Sequence, residues 1–345
     1  MQVTKKAIRD LTKKDISLIF AAWGEPPYRA DQVHHWLWQQ FVKSFDEMRN
    51  IPKALQNKLA AEFDIFPIQS DLEQVSSDGT IKCRFRLHDG HLMESVLIPA
   101  DDRMTACVSS QVGCNLGCKF CATGFIKMKR NLAHYEIYDQ VVSMHQHAMA
   151  HYGKPLSNIV YMGMGEPLLN YKNVIKSVER ITAADGLAMS PRRITVSTAG
   201  LAKQIKQLGD DGVKFNLAVS LHAADDKKRS ALMPVNDANN LQTLIDALNY
   251  FYAKTKNKIT FEYILFDGIN ETAEDARNLV KLCRRVPAKV NIIEYNPIAQ
   301  ADFNKSKEEQ REKFIAYLEQ NDIVAKVRRS RGKDIDAACG QLANK

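Results

Sequence analysis

The sequence predicts an α/β fold. Six strands alternate with helices as a parallel (β/α)6 sheet of the barrel type, preceded by a small N-terminal helical domain and a connecting β segment. Three patterns carry that expectation. After Asp101, short β-rich runs alternate with long amphipathic segments, which is how a parallel sheet reads in sequence. Before about residue 75, apolar residues recur at helical spacing instead. The unusual polar groups of the later region fall where its strands end, and α/β barrels build their sites there.

In chain order, Asp15 to Trp23 puts Ile16, Ile19, Phe20 and Trp23 on one helical face, and Pro26 and Pro27 interrupt it. Ala30 to Val42 brings Val33, Trp36, Leu37 and Phe41 together, and Phe45–Met48 and Pro52–Phe63 read as two shorter helices, the second begun by a proline. These aromatics are read as the core of the unit. Its surface is basic, with ten Lys/Arg against six Asp/Glu over residues 1–60, and fits an RNA-docking module. From Ile68 to Pro99 the pattern alternates, with strands at 82–87 and 92–98 joined by a turn at Asp89-Gly90. On pattern alone Glu94 is an exposed strand residue.

Beyond Asp101 the expected strands are Thr105–Ser109, Ile159–Met162, Ile194–Ser197, Phe215–Leu221, Thr260–Phe266 and Val290–Tyr295. The helices between them are Tyr135–His151, Lys172–Ala183, Leu201–Leu208, Leu241–Thr255 and Ala273–Arg285. A further helix, Glu308–Gln320, and a strand, Ile323–Arg328, precede a basic tail that ends in a cysteine between small residues. The segments are therefore 1–75 helical, 76–100 β, 101–333 barrel and 334–345 tail.

Charge and cysteine usage bound the function. A net charge of +8 with a pI near 9.0 favours a polyanionic partner, with a merely basic soluble enzyme as the alternative. No apolar run approaches the roughly 20 residues that span a bilayer, and MQVTKKAIRDLTKKD lacks the apolar core of a signal peptide. The expected location is the cytoplasm, with no membrane partner. In that reducing compartment seven clustered cysteines point to metal binding or chemistry rather than a disulfide framework.

The stretch CVSSQVGCNLGCKFCATG holds four of them. Cys114, Cys118 and Cys121 are spaced C-x-x-x-C-x-x-C, so one tight loop presents three thiolates to a point and leaves an iron of a cluster open for chemistry. A zinc site is the alternative, but it wants four ligands, usually as two C-x-x-C pairs. In GMGEP, Gly163 and Gly165 let backbone approach a ligand, and Glu166 offers an acceptor to an ammonium. Ser197, Ser220, Leu221, His222 and Asn296 stand at later strand ends, where a ligand role and a structural hydrogen bond are both open. Cys83 and Cys283 read as buried small hydrophobes.

With Phe120 as the aromatic before the last cysteine, the triplet resembles the signature of the radical S-adenosylmethionine (SAM) superfamily. Together with GMGEPLLN, SPRRITVSTAG, SLHA, MPVN, EYNP and RGKDIDAACGQL, it closely resembles the dual-specificity ribosomal and transfer RNA adenine-C2 methyltransferases of that class over almost the whole chain. The C8-methylating antibiotic-resistance relatives share most of these motifs. The resemblance implies a partial (β/α)6 radical SAM barrel. It implies one [4Fe-4S] cluster on Cys114, Cys118 and Cys121, and two SAM molecules per turnover. SAM would meet Gly165, Glu166, Ser197, Ser220, Leu221, His222 and Asn296. Cys339 would be the methyl carrier and Cys107 the residue that resolves the RNA adduct by a disulfide with Cys339. Glu94 matches the proton acceptor, with Cys107 as the other candidate. The implied partners are 23S rRNA, tRNA and a flavodoxin- or ferredoxin-type electron donor, with a monomer as the default. Lys127, Lys129, Arg130 and Arg328–Lys333 are expected to contact RNA phosphates.

Overall fold

The computed structural model of the protein describes residues 5–344. Its first unit is helical: α1 (Lys13–Ala22), α2 (Tyr28–Trp38) and α3 (Lys53–Glu62). Thr12 starts α1 with a reciprocal cap, its hydroxyl accepting from the Asp15 N–H while the Asp15 carboxylate accepts from the Thr12 N–H. Ile16, Phe20, Val33 and Leu37 are buried, as the helical spacing predicts, whereas Ile19, Trp23, Trp36 and Phe41 are only partly buried and pack at the edge of this core.

Ten strands then form one sheet in which every strand lies beside its sequence neighbours. The first four are β1 (Gln69–Val75), β2 (Ile81–Arg86), β3 (Leu92–Ala100) and β4 (Arg103–Cys107), paired as an antiparallel meander. The connecting β segment is thus continuous with the main sheet. From β4 onward all pairing is parallel, through β5 (Asn158–Tyr161), β6 (Ile194–Thr198), β7 (Asn216–Ser220), β8 (Ile259–Leu265), β9 (Ala288–Glu294) and β10 (Ala325–Arg328). Strands β1 and β10 are the two edges, so the barrel is partial.

The crossovers carry α4 (His134–Tyr152), α5 (Tyr171–Thr182), α6 (Ala202–Asp210), α7 (Asp226–Leu232), α8 (Leu241–Thr255), α9 (Ala273–Cys283) and α10 (Glu308–Gln320). Only α7 has no counterpart in the sequence reading, because seven mostly polar residues show no helical period. Every residue of β8 is buried, as expected of a central parallel strand covered on both faces. One of them, Glu262, is an acid.

The helical unit docks on α4 through Arg9, whose guanidinium meets both carboxylate oxygens of Asp139 at 2.5 and 2.9 Å and donates to the Ile65 carbonyl. Alongside, the Tyr138 hydroxyl donates to the Trp38 carbonyl at 2.8 Å. No helix among the described residues is long and apolar enough to cross a membrane.

Candidate active site

The strand-end polar groups converge. Cys114, Cys118 and Cys121 line one cavity with Gly165, Glu166, Ser197, Ser220, His222 and Cys339. The chain reaches this arrangement because β4 runs straight into the cysteine loop. Gly113 lets the loop turn with φ +79°, and a Cβ there would lie 2.7 Å from the carbonyl oxygens of Ile126 and Lys127. The Cys114 N–H closes the loop on the Ile126 carbonyl at 3.0 Å.

Burial first, and then neighbouring thiols, push these sulfurs toward the protonated form. Cys114 rises to about 11, Cys118 lies well above its ordinary value, and Cys121 is raised as well. Three half-buried thiols that oppose one another's ionisation are a donor set that a cationic metal centre fits, since the metal offsets their charge as they release protons. The set fits the cluster that the spacing implies.

GMGEP packs directly against this loop. Gly165 has φ +92°, and a Cβ on it would sit 2.4 Å from the Gln111 Cβ. The Gln111 side chain in turn accepts from the Glu166 N–H at 2.8 Å. Glu166 is buried, and burial raises its carboxyl to about 7 even though the N–H groups of Leu168 and Ala199 donate to it at 3.0 and 2.7 Å. One more donor, such as a ligand amino group, would favour its ionised form.

His222 adopts a left-handed backbone with φ +56°, uncommon for a residue with a side chain. Its Nδ1 accepts from the Ile264 N–H at 3.0 Å, so the neutral ring carries its proton on Nε2. Burial lowers its pKa to about 3, which keeps it neutral. The Phe120 ring stands edge-on to it at 4.6 Å. Ser197 donates to the Tyr161 carbonyl at 2.6 Å from the cavity wall. Leu221 is buried in the core beneath that wall. Asn296 reaches the tail instead: its amide donates to the Cys339 carbonyl at 3.2 Å, while its side-chain oxygen is buried without a partner.

Behind Ser220 lies a residue that the sequence reading missed. Arg229 on α7 is fully buried and donates to the carbonyls of Ala199, Ser220 and Leu221 at 2.7, 3.2 and 3.2 Å, and to Asn236 at 2.7 Å. It ties the ends of β6 and β7 together. Burial lowers its pKa to about 10, which leaves it charged at neutral pH.

The tail is strapped over the cysteine loop. The Ala122 N–H donates to the Gly340 carbonyl at 2.7 Å, and the Thr123 hydroxyl to the Leu342 carbonyl at 2.7 Å. Glu94 is completely buried, contrary to the exposed position that its pattern predicts. One oxygen accepts from the N–H groups of Ala343 and Asn344 at 2.9 and 3.0 Å, and the other lies 3.5 Å from the Lys82 ammonium.

Cys107 and Cys339 line a second, larger cavity that continues toward the starts of the parallel strands. Both are free thiols. Arg103, Lys289, Lys326, Arg329 and Arg331 also line it, which makes its lining cationic. Arg328, expected on the RNA-facing surface, instead turns inward. It lies 3.3 Å from the Met162 sulfur and 3.6 Å from Glu262, whose other oxygen accepts from Asn291 at 2.8 Å. A thiolate beside it at Cys339 would hold the Arg328 proton more firmly. Burial pushes the Cys107 thiol up to about 12, and Arg328 opposes that rise. The lone acid in the apolar run ITFEYIL was the signal in sequence for this polar group; the inward turn of Arg328 left none.

Of the other basic residues expected on RNA, Lys127 and Lys129 are exposed. Arg130 is held by Glu136 at 2.7 Å and by Asp89.

The ribosomal RNA large subunit methyltransferase N-terminal domain family matches residues 7–65, and the radical SAM superfamily matches residues 108–283. A probable dual-specificity RNA methyltransferase RlmN from Cytophaga hutchinsonii is 54% identical over 100% of this chain and 94% of its own length. The dual-specificity RNA methyltransferase RlmN 2 of Myxococcus xanthus is 44% identical over 93% of this chain and 86% of its own. The crystal structure of a radical SAM methyltransferase from Sphaerobacter thermophilus superposes with a TM-score of 0.93 at 41% identity, covering 99% of this chain and 100% of that one.

Proposed function

The chain belongs to the RlmN family of dual-specificity RNA methyltransferases in the radical SAM superfamily, and on that premise we propose that it methylates C2 of a specific adenine in 23S rRNA and of the adenine 3′ of the anticodon in some tRNAs. The observation that carries this reading is the convergence of the three-cysteine loop, Cys339 and Cys107 on connected cavities with a cationic lining. Adenine C2 is electron-poor and has no lone pair to attack a methyl donor. A carbon centre built on a protein sulfur can reach it.

Cys114, Cys118 and Cys121 are the ligands we assign to one [4Fe-4S] cluster. Held there together with SAM, this group would supply a reducing electron and the removal of one hydrogen atom from the methyl carried on Cys339. Glu166 orients the SAM amino group, His222 offers its Nε2–H donor to the cavity, and Phe120 and the tail shield the site from water. Cys339 carries the methyl group: its sulfur gives up its proton and attacks the methyl carbon of a first SAM, forming the S–CH3 bond as the sulfonium S–CH3 bond breaks and S-adenosylhomocysteine leaves. Its methylene carbon later bonds to C2. Once the adduct has passed its unpaired electron to a one-electron acceptor, a role the cluster would fill, and its C2 proton to a base, the Cys107 thiolate attacks the Cys339 sulfur. The S–S bond forms and the S–C bond breaks. Its electron pair stays on the methylene carbon, which takes a proton to become the product methyl.

Arg328 favours the thiolate form of Cys107 in this step. Glu94 lines neither cavity and one of its oxygens holds Ala343 and Asn344, so we assign it to holding the tail and Cys107 to the substrate side. The base must leave its stack to reach Cys339, at a cost of about a few kcal/mol. Phosphate contacts to Lys127, Lys129 and the cationic cavity offset that cost. We place the protein in the cytoplasm as a monomer, with a flavodoxin- or ferredoxin-type electron donor.

Anaerobic reconstitution with labelled SAM and protein-free 23S rRNA, followed by nucleoside mass spectrometry, tests the assignment. The expected product is 2-methyladenosine; finding only the 8-isomer would overturn it.

A further inference from the structure

A second cluster of metal-ligating side chains lies outside the active site, on the other face of the meander. Glu73 on β1 and Cys83 on β2 are direct cross-strand partners and therefore point to the same face. Helix α4 covers that face and supplies His147 and His151, one turn apart on one side of the helix. The Cys83 sulfur is 3.5 Å from His147 Nε2, Glu73 Oε2 is 3.7 Å from His147 Nδ1, and Glu73 Oε1 is 3.5 Å from His151 Nε2. One donor atom each from Glu73, Cys83 and His147 lies within 4.8 Å of the others.

We propose that Glu73, Cys83, His147 and His151 form a zinc site that clamps the edge strand β1 to α4. Zinc–sulfur and zinc–nitrogen bonds of about 2.3 and 2.0 Å set neighbouring ligands of a tetrahedron roughly 3.5 Å apart. The Cys83–His147 Nε2 separation already matches that, while Glu73, which faces the other ring nitrogen of His147, and His151, which meets Glu73, turn toward the sulfur to complete the set. One sulfur with three nitrogen or oxygen donors suits a borderline-soft ion better than magnesium or calcium, which take all-oxygen shells. Zinc takes one ring nitrogen of His147, and Cys83 binds as the thiolate, releasing its proton to solvent.

Strand β1 supplies an independent reason. It buries none of its seven residues, so apolar packing contributes little to holding it. A bare edge strand invites pairing with other chains. A metal joining it to α4 pins it in place. The site lies away from the tail, because Lys82 and Arg84, which alternate with Cys83, are the residues that meet Glu94 and the Asn344 carbonyl.

The test uses full-length protein with its iron–sulfur cluster intact, dialysed against a low zinc concentration. Metal analysis and X-ray absorption at the zinc edge are read together, since the cluster irons do not contribute at that edge. The expected result is one zinc per chain with one sulfur and three nitrogen or oxygen neighbours. Cys83→Ala should remove the sulfur scatterer, and His147→Gln and the more exposed His151→Ala should each weaken zinc binding at least about tenfold. Cys83→Ala has to keep its helical circular dichroism for its result to count, and His151→Ala reads the site even if it does not. No zinc retained at full iron content, zinc without a sulfur neighbour, or unchanged affinity in His147→Gln and His151→Ala would each overturn the proposal.

Discussion

Glu166 shows how burial sets the behaviour of a single side chain here. Its folded pKa of about 7 lies above the value of roughly 4.3 for an unfolded glutamate, so between those values the native state binds the extra proton. Without SAM, its contribution to stability is therefore present at low pH and is lost as pH rises through about 7. Glu166→Gln should flatten that part of the profile, a difference that denaturant unfolding from pH 5 to 8 would show. SAM affinity of the parent protein should rise across the same window, as the carboxylate becomes a full acceptor. For Cys107, held near 12 by burial and eased by Arg328, adduct resolution should speed up as pH rises. Arg328→Met should slow that release by about tenfold or more while leaving methylation of Cys339 measurable, which quenched time courses of the protein–RNA adduct would resolve. The cysteine triplet was legible in sequence because spacing alone brings three sulfurs to one point. The place of Arg328 was not: a run of arginines reads as a solvated face, and only the register of β10 decides which of them turns inward.

At the level of elements, the active site is held by parts that sequence periodicity describes poorly. Helix α7 is too short and polar to show a period, yet its Arg229 satisfies three strand-end carbonyls. Arg229→Met would leave those carbonyls buried without a donor and should destabilise the protein by about 3 kcal/mol, measured by denaturant unfolding. It should also weaken SAM binding, because Ser220 and the backbone after β6 would lose their support. GMGEP was legible as a ligand-approach turn, although its partner Gln111 was not, since contact between two loops leaves no mark on local sequence. Gly165→Ala would force a Cβ into Gln111 at a left-handed position, costing roughly 1–3 kcal/mol and displacing Glu166. The burial of Glu94 belongs at this scale too. An acid within an alternating strand reads as exposed until the tail returns to cover it.

Over the whole molecule, the alternation of strands and helices after Asp101 made the parallel barrel legible, and the seventh parallel strand, β10, follows from the expected run Ile323–Arg328. The continuity of the meander with the barrel was not legible, because β4 pairs antiparallel on one side and parallel on the other, and its residues alone do not encode both. The helical unit is fixed to the barrel by the Arg9–Asp139 pair, of which Arg9 is almost fully buried. Arg9→Ala should cost about 3–5 kcal/mol, read as a lowered unfolding midpoint, because it strands the Asp139 carboxylate at that interface. The same change should lower rRNA affinity if this basic unit docks the substrate. The enclosing claim is that RNA, Cys339 and Cys107 meet in one cavity. Its most direct measurement is mass spectrometry of the Cys107→Ala protein after anaerobic turnover with rRNA. The account predicts a covalent adduct in which the peptide bearing Cys339 is joined through a methylene to an adenine. Free methylated RNA released at the parent's yield, with no adduct on that peptide, would contradict it.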